Sequence, residues 1–283
     1  MLPMGIEKFV LTMARWVPQP VKRAMLGRRS APNRFAGVIH SMLNRLPAGR
    51  YPILDCSGPL KGFRMRVDWQ KHRTFVYGNW EPEVVEAISR CVSSGMIALD
   101  LGAQSGFYSL LLSKLVGPSG TVVAFEPLPA NFRILRENVE MNGVKNVFVR
   151  EEAVMAESGV FELEVPKKDS SLLAGPLAGD DDPTTAVVPA ISLDAFAREI
   201  CRPIDFIKMD VEGAESDVLE GARDVLNICH PTMLIELHNM DGRNPRHDVV
   251  SCLGGMGYSI RWIGEVKWNA HILAQWSREG NGN

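Results

Sequence analysis

The sequence predicts an α/β protein whose mostly parallel sheet is covered by helices on both faces. From Pro82 onward, short apolar runs alternate with amphipathic helical stretches, which is the pattern of such a sheet. Three of the apolar runs end at a carboxylate residue, Asp100, Glu126 or Asp210. Because open α/β sheets bind ligands at the carboxyl ends of their strands, these residues predict a ligand site at that edge.

The predicted elements follow one another in a regular order. We predict strands at residues 96–101, 121–125, 147–149, 204–209 and 233–237. We predict helices at residues 82–91, 107–116, 130–141, 192–199 and 216–226. Apolar stretches at residues 258–262 and 270–273 lie on either side of Gly264 and predict a terminal hairpin.

Residues 1–75 are predicted to form an N-terminal extension, and residues 76–283 the main domain. The extension has predicted helices at residues 5–16 and 19–46, and a pair of short strands within 51–67. Residues 1–50 carry nine Lys and Arg against one acid, whereas the remainder carries 22 bases against 32 acids. The basic helices either cap the main domain or contact a membrane surface or protein through residues 1–30. The acidic main domain is a poor nucleic-acid binder.

The composition is that of an ordinary globular protein, with 46% apolar and 23% charged residues. The five cysteines form no C-x-x-C pair, which argues against a zinc site or a disulfide framework and for a reducing compartment. No apolar run approaches the ~20 residues of a membrane-spanning helix. We therefore expect a cytoplasmic protein. A long segment, residues 166–189, is rich in charge, proline and threonine, and predicts a loop that is either a substrate lid or an inert insertion.

A turn with two glycines, Asp100-Leu-Gly-Ala-Gln-Ser-Gly106, follows the first predicted strand of the main domain. Glycine adopts positive φ and lets backbone approach a ligand closely, and the next helix offers free N–H groups. The spacing of Gly102 and Gly106 does not fit the G-x-G-x-x-G pattern that binds a pyrophosphate. Asp100 would repel a pyrophosphate but attract a sulfonium or an ammonium group. The turn predicts such a ligand; the alternative is a plain tight turn.

Three further segments lie at or near predicted strand ends. Phe125-Glu126-Pro127 places a carboxylate where it can accept both ribose hydroxyls of an adenosine, and it disfavours the 2′-phosphate of NADP. Residues 206–215 hold three acids and a lysine, and residues 234–239 hold a carboxylate inside an apolar strand. Such a carboxylate costs free energy unless it has a partner. The adjacent His238 is either part of a site or a hydrogen-bonded surface histidine.

These segments together resemble the FkbM family of methyltransferases. The resemblance rests on D-L-G-A-x-x-G-x-Y-S, F-E-P, N-x-x-x-N (Asn138 to Asn142), I-K-M-D-V-E-G-A-E and L-I-E-L-H, in this order, and covers roughly residues 78–239. It implies a class I methyltransferase fold with an antiparallel C-terminal strand. It also implies S-adenosylmethionine (SAM) as cofactor and O-methylation of a sugar, glycolipid, polyketide or related acceptor. Gln104 departs from the family, which usually has Asn there.

The resemblance assigns roles to individual residues. It implies that Asp100, Gly102, Ala103 and Gly106 form the SAM turn, that Glu126 binds the ribose, that Glu152 and Ala153 border the adenine, and that Asp210 lies near the methionine part or the acceptor. We also expect cofactor contacts from Glu81, Gln104, Tyr108, Pro127 and Asn131.

Methyl transfer to a hydroxyl benefits from a base that removes its proton. The candidates are Asp210, Glu212, Glu236 and His238, of which Asp210 has the best-supported position and His238 the most suitable unperturbed pKa. We expect no metal; Mg²⁺ held by Asp210, Glu236 and Asn239 is the alternative. We expect a small-molecule or glycan acceptor with a free hydroxyl and no nucleic acid. The competing functions are an NAD-dependent oxidoreductase, an RNA or DNA methyltransferase, and a non-catalytic SAM-binding protein.

Overall fold

The computed structural model describes residues 53–165, 184–238, 245–264 and 270–277. Four features of the sequence prediction lie outside the described residues: the helices at 5–16 and 19–46, the contact through residues 1–30, residues 166–183 of the long loop, and Asn239.

The described chain alternates strands and helices. The strands are β1 (Ile53–Asp55), β2 (Arg64–Arg66), β3 (Ile97–Leu101), β4 (Thr121–Phe125), β5 (Val147–Arg150), β6 (Ala153–Val154), β7 (Gly159–Val165), β8 (Thr184–Ile191), β9 (Phe206–Met209), β10 (Thr232–Leu237), β11 (Tyr258–Ile263) and β12 (Ala270–Trp276). The helices are α1 (Trp69–Tyr77), α2 (Pro82–Cys91), α3 (Phe107–Val116), α4 (Pro129–Met141), α5 (Leu193–Ile200), α6 (Glu215–Glu220), α7 (Arg223–Ile228) and α8 (Pro245–Gly255).

A seven-stranded sheet in the order β5-β4-β3-β9-β10-β12-β11 forms the centre of the molecule. The first five of these strands pair in parallel, and β12 is antiparallel to both of its neighbours. The chain order reverses between β3 and β9, so the crevice for a ligand lies where these two strands end. The predicted fold class is confirmed, including the antiparallel last strand.

Helices cover both faces of the sheet. One hydrophobic cluster joins α1–α4 to the sheet and includes Ile88, Leu110 and Leu135. A second cluster on the other face joins α5–α8 and includes Phe196 and Leu253. All five residues of β3 are buried, as expected of a parallel strand covered on both faces.

The segment from β1 to α1 packs on the main domain. Leu54, Met65 and Phe75 belong to the same hydrophobic cluster as α3 and α4. The predicted pair of short strands within 51–67 is confirmed as the antiparallel pair of β1 and β2. The division of the chain at residue 76 stays a prediction, since the described part of the extension shares its core with the main domain.

A second, three-stranded sheet corrects the predicted loop at 166–189. Residues 184–189 belong to β8, which pairs with β7 along its length and with β6 at Ala190 and Ile191. Proline and threonine suggested a loop, but Pro189 is tolerated because β6 covers only the end of β8 and leaves most of that side as an edge. Val188 and Ala190 pack inward, which the composition did not reveal.

Two other predictions differ from the structure. The helix predicted at 216–226 is two short helices, α6 and α7. The break between them begins at Gly221, which packs closely against the backbone of Met155. A Cβ on Gly221 would lie only 2.3 Å from the carbonyl oxygen of Met155. Asp194 then accepts hydrogen bonds from the N–H groups of Asp224 and Val225 and caps α7. Helices α1 and α8 were not predicted.

The terminal hairpin is confirmed as β11 and β12. All five cysteines lie among the described residues and are free thiols. Within the described ranges, no helix is long and apolar enough to span a bilayer.

Candidate active site

The turn between β3 and α3 brings the ends of two strands into contact. Gly102 and Gly106 have φ of 76° and 88°, in the left-handed region that glycine tolerates. A Cβ on Gly102 would lie 1.8 Å from the carbonyl oxygen of Asp210, so only glycine fits between β3 and the residue after β9. Gln104 also has a positive φ of 47°. Asparagine adopts this conformation more readily than most residues, which fits the family's usual residue there.

Glu126 follows β4 and holds the turn from behind. Its Oε2 accepts a hydrogen bond from the N–H of Gln104 at 2.7 Å. Its Oε1 accepts from the N–H of Leu128 at 3.0 Å and from the side chain of Asn131 at 3.3 Å. Burial raises the pKa of Glu126 to about 7, although these donors oppose the rise.

A buried lysine lies between two aspartates beneath the turn. Lys208 is 3% exposed; its Nζ donates to Oδ2 of Asp210 at 3.1 Å and lies 4.7 Å from the ring centroid of Tyr108. Asp100 is fully buried and accepts a hydrogen bond from Ser109 at 2.5 Å. Burial lowers the pKa of Lys208, but Asp210 and Asp100 outweigh burial and raise it, so the lysine is protonated. Burial raises the pKa of Asp100.

A cluster of carboxylates surrounds His238, the residue after β10. Its Nδ1 lies 2.8 Å from Oε1 of Glu215, a fully buried side chain. Its Nε2 lies 3.6 Å from Oδ1 of Asp210, 3.4 Å from Oε2 of Glu212 and 3.7 Å from Oε1 of Glu236. Burial lowers the pKa of His238, but the contact with Glu215 and the other carboxylates outweigh burial and raise it to about 9.

A second polar group lies beside this cluster. Tyr108 donates a hydrogen bond to Glu81, which precedes α2 with a φ of 38°. His271 on β12 is the register partner of Glu236 on β10, and its Nε2 lies 3.4 Å from Oε2 of Glu236 and 3.9 Å from Oε2 of Glu81. Burial raises the pKa of Glu81, whereas the pKa of His271 rises despite burial because Glu236 and Glu81 face it.

One cavity of about 310 Å³ joins the turn to the cluster. Its lining includes the carboxylates of Asp210, Glu212 and Glu236 with His238, and the turn residues Gly102, Ala103 and Gln104. It is also lined by the aromatic rings of His72, Phe75, Trp80 and Phe107. Glu81 and Tyr108 also line it. A ligand bound at the turn would therefore share this cavity with the carboxylate cluster.

Comparison with known proteins identifies the family. The model of the Methyltransferase FkbM domain matches residues 100–260, more than half of the chain. The chain belongs to the FkbM methyltransferase family. The chain therefore contains a SAM-dependent methyltransferase domain, as the sequence predicted.

Individual relatives of this FkbM methyltransferase are distant. Methyltransferase 1 of Beauveria bassiana is 30% identical over 145 residues, 44% of this chain and 58% of that protein. The 31-O-demethyl-FK506 methyltransferase FkbM of Streptomyces tacrolimicus is 27% identical over 199 residues, 59% of this chain and 74% of that protein. The solved structure of Methyltransferase FkbM from Methylobacillus flagellatus is 19% identical, with a TM-score of 0.44 over 64% of this chain and 43% of that one.

The residues around the glycine turn of this FkbM domain fit SAM as the cofactor. The turn has the tight backbone that the resemblance implies, and Glu126 lies directly behind it. Glu126, Asn131 and Asp100 support the turn without lining the cavity. Glu152 pairs with Arg150, and Ala153 begins β6, so neither lines the cavity. The individual roles of the site residues, including Pro127 and Gly106, stay predictions.

Sequence reasoning named no role for several residues of this site. Glu215 lay in a quoted motif but gave no sign that it is buried. His271 stood in an apolar stretch as a single histidine, which was a usable signal. Phe75 and His72 lie on α1, a helix that was not predicted.

Proposed function

We propose that this FkbM methyltransferase transfers the methyl group of SAM to a free hydroxyl of a small-molecule or glycan acceptor, such as a sugar, glycolipid, polyketide or related metabolite. The observation that carries the proposal is the position of the carboxylate cluster in the same cavity as the glycine turn. The Streptomyces relative is a methyltransferase of 31-O-demethyl-FK506, and this supports O-methylation as the reaction class here.

The residues of the site have separate tasks. SAM, when bound, supplies an electrophilic methyl group. The turn holds the cofactor, with Glu126 supporting the turn from behind, and the protein mainly aligns the acceptor oxygen with the methyl group. The aromatic residues that line the cavity, such as Phe75 and Trp80, offer apolar faces to the body of the acceptor.

The acceptor proton goes to a carboxylate that follows β9. Oδ1 of Asp210 is buried and has no hydrogen-bond partner among the described residues, and the side chain of Glu212 is 71% exposed at the cavity. His238 is less suited, because its Nδ1 contacts Glu215 and its Nε2 faces three carboxylates, an arrangement that favours the imidazolium. Asp210 and Glu212 are therefore the proposed proton acceptors.

The test is transfer from SAM labelled in its methyl group to a panel of glycosides and polyhydroxylated macrolides, with RNA as a parallel substrate. We expect label in an ether of one of the hydroxyl compounds. Asp210→Asn or Glu212→Gln should lower kcat by at least about 100-fold, whereas Asp217→Asn, an exposed control on α6, should not. Label in RNA, or wild-type turnover in both variants, contradicts the proposal.

A further inference from the structure

We infer that Asp210, Glu236 and His238 form a binding site for one divalent transition-metal ion in the carboxylate cluster of the cavity. One donor atom from each of the three side chains lies within 4.8 Å of the others. The inference deepens the proposed function, since a cation here would contact the acceptor hydroxyl. The evidence for the metal site does not depend on that function, because it comes from the contacts that orient each of the three side chains.

In each of the three side chains, one polar atom contacts a supporting residue and another faces the cluster. Asp210 contacts Lys208 through Oδ2 at 3.1 Å and turns Oδ1 inward. Glu236 contacts His271 through Oε2 at 3.4 Å and turns Oε1 inward. His238 contacts Glu215 through Nδ1 at 2.8 Å and turns Nε2 inward.

This division of atoms is typical of metal ligands. A metal-binding histidine usually donates its other ring N–H to a carboxylate, which fixes the ring and its tautomer. The ion would replace the Nε2 proton of the imidazolium that the carboxylates favour in its absence, and this proton would be released to solvent. Glu215 is fully buried and is placed for that contact, and it also accepts a hydrogen bond from the N–H of Gly213 at 3.1 Å. The supporting contacts come from β9, α6 and β12, so they do not arise from a single acidic loop.

The inward atoms are spaced for an ion rather than for direct hydrogen bonds. Nε2 of His238 lies 3.6 Å from Oδ1 of Asp210 and 3.7 Å from Oε1 of Glu236, beyond the roughly 2.7–3.2 Å of an N–H···O bond. Donor atoms about 2.0–2.2 Å from one ion lie roughly 3.0–3.6 Å apart. The two distances from Nε2 of His238 therefore need to shorten by only a few tenths of an ångström, and all three donor atoms already lie within 4.8 Å of one another.

This cluster is buried, and in this it differs from an ordinary group of solvent-exposed acids. His238 is 8% exposed, and Oδ1 of Asp210 is buried without a hydrogen-bond partner among the described residues. Carboxylate oxygen with imidazole nitrogen suits Mn²⁺, Fe²⁺ or Zn²⁺ better than Mg²⁺. This differs from the Mg²⁺ alternative drawn from the sequence, since His238 takes the place given to Asn239.

A cation at this position has a defined use in the proposed reaction. It would bind the acceptor oxygen and lower the pKa of the hydroxyl. Asp210 would then serve as a ligand, and Glu212, exposed at the cavity, would be the carboxylate that takes the proton.

The experiment is titration of EDTA-dialysed protein with Mn²⁺ in the absence of SAM, with free Mn²⁺ measured by electron paramagnetic resonance. Mn²⁺ is chosen because exposed thiols such as Cys201 bind it poorly. We expect about one ion per chain. Asp210→Asn, Glu236→Gln and the supporting variant Glu215→Gln should each weaken binding by about 10–100-fold, and His247→Gln, an exposed histidine on α8, should not.

A second measurement uses only the wild-type protein, in case a variant fails to fold. Spin-echo modulation of bound Mn²⁺ should show the nitrogen of one coordinated imidazole. Absence of binding, absence of nitrogen coupling, or unchanged affinity in folded variants overturns the site. Methyl transfer that persists in EDTA without Mn²⁺ binding overturns the site alone, and Mn²⁺ binding without transfer to any hydroxyl overturns the proposed function alone.

Discussion

The side-chain amide of Asn138 hydrogen-bonds to both backbone groups of Arg66. Its Oδ1 accepts from the Arg66 N–H at 2.6 Å, and its Nδ2 donates to the Arg66 carbonyl at 3.0 Å. The same Nδ2 donates to the carbonyl of Ser105 at 2.8 Å. One turn later, directly after the last residue of α4, Asn142 makes the same pair of bonds to Arg64 at the protein surface. The two asparagines therefore attach β2 to α4, and Asn138 also attaches the glycine turn.

Asn138→Ala should destabilise the protein by about 2–4 kcal/mol, because it removes three hydrogen bonds and leaves buried backbone groups without partners. We expect the Tm to fall by roughly 5–15 °C. Asn142→Ala is the matched control: it removes equivalent bonds where water can replace them, and should cost about 1 kcal/mol. Thermal unfolding by circular dichroism measures both. Equal losses in the two variants would show that burial of Asn138 is not what matters.

The asparagine pair shows where sequence reasoning stops. Asn138 and Asn142 belonged to the motifs that indicated the family, but their spacing on one helix face did not reveal which strand they hold. Elements with strong periodicity were predicted well: residues 107–116 and 121–125 have the observed bounds of α3 and β4. Helix α1 was missed because its sequence is mostly polar, with few apolar positions to indicate a buried face.

Site residues that directly follow a strand were predicted from the sequence, whereas contacts that depend on the pairing register of two strands were missed. Asp210 and Glu126 follow strands whose order in an α/β sheet is regular. His271 faces Glu236 only because β12 inserts between β10 and β11, and no local pattern gives that pairing. Glu215 looked like one of three solvated acids, and no local pattern predicts its burial or its contact with Nδ1 of His238.

Gly102→Ala should abolish SAM binding and lower stability, because the added Cβ would meet the carbonyl oxygen of Asp210 at 1.8 Å. Gly143→Ala is a close control: Gly143 also has a positive φ, of 62°, but no atom lies within 4 Å of the added Cβ. The control should therefore show only the backbone strain, about 1–2 kcal/mol. Calorimetry with SAM and chemical unfolding separate the two effects. Wild-type affinity in Gly102→Ala would contradict the predicted role of the turn.

Lys208→Met should destabilise the protein by about 3–5 kcal/mol, because Asp100 and Asp210 lose the ammonium group buried between them. Adding Asp100→Asn removes one of the uncompensated charges and should recover roughly 1–3 kcal/mol, so the two changes are coupled. Urea unfolding of the wild type, both single variants and the double variant gives the coupling energy. Lys114→Met, an exposed lysine on α3, should cost about 1 kcal/mol. Additive losses from the two buried positions would refute the coupling.

Glu126 should make stability and SAM affinity depend on pH in opposite directions. Burial raises its pKa from 4.5 to about 7, so folding takes up a proton between these values. Its contribution to the free energy of unfolding is therefore fully present below about pH 4.5 and is lost as the pH rises through about 7. The ionised carboxylate, in contrast, is the better acceptor for the N–H of Gln104 in the turn and, in its predicted role, for the ribose hydroxyls, so SAM affinity should fall as the pH drops below 7.

The measurements are thermal unfolding without ligand and SAM affinity by calorimetry, each at pH 6 and pH 8. With a pKa near 7, the ionised fraction changes about tenfold over this range, and we expect the Kd for SAM at pH 6 to be about tenfold higher than at pH 8. Glu126→Gln should remove this dependence and bind SAM weakly at both values. Glu151→Gln, at an exposed position, should keep the wild-type profile. Because an amide keeps one acceptor oxygen but cannot ionise, a Glu126→Gln variant with the wild-type pH profile would assign the titration to another group.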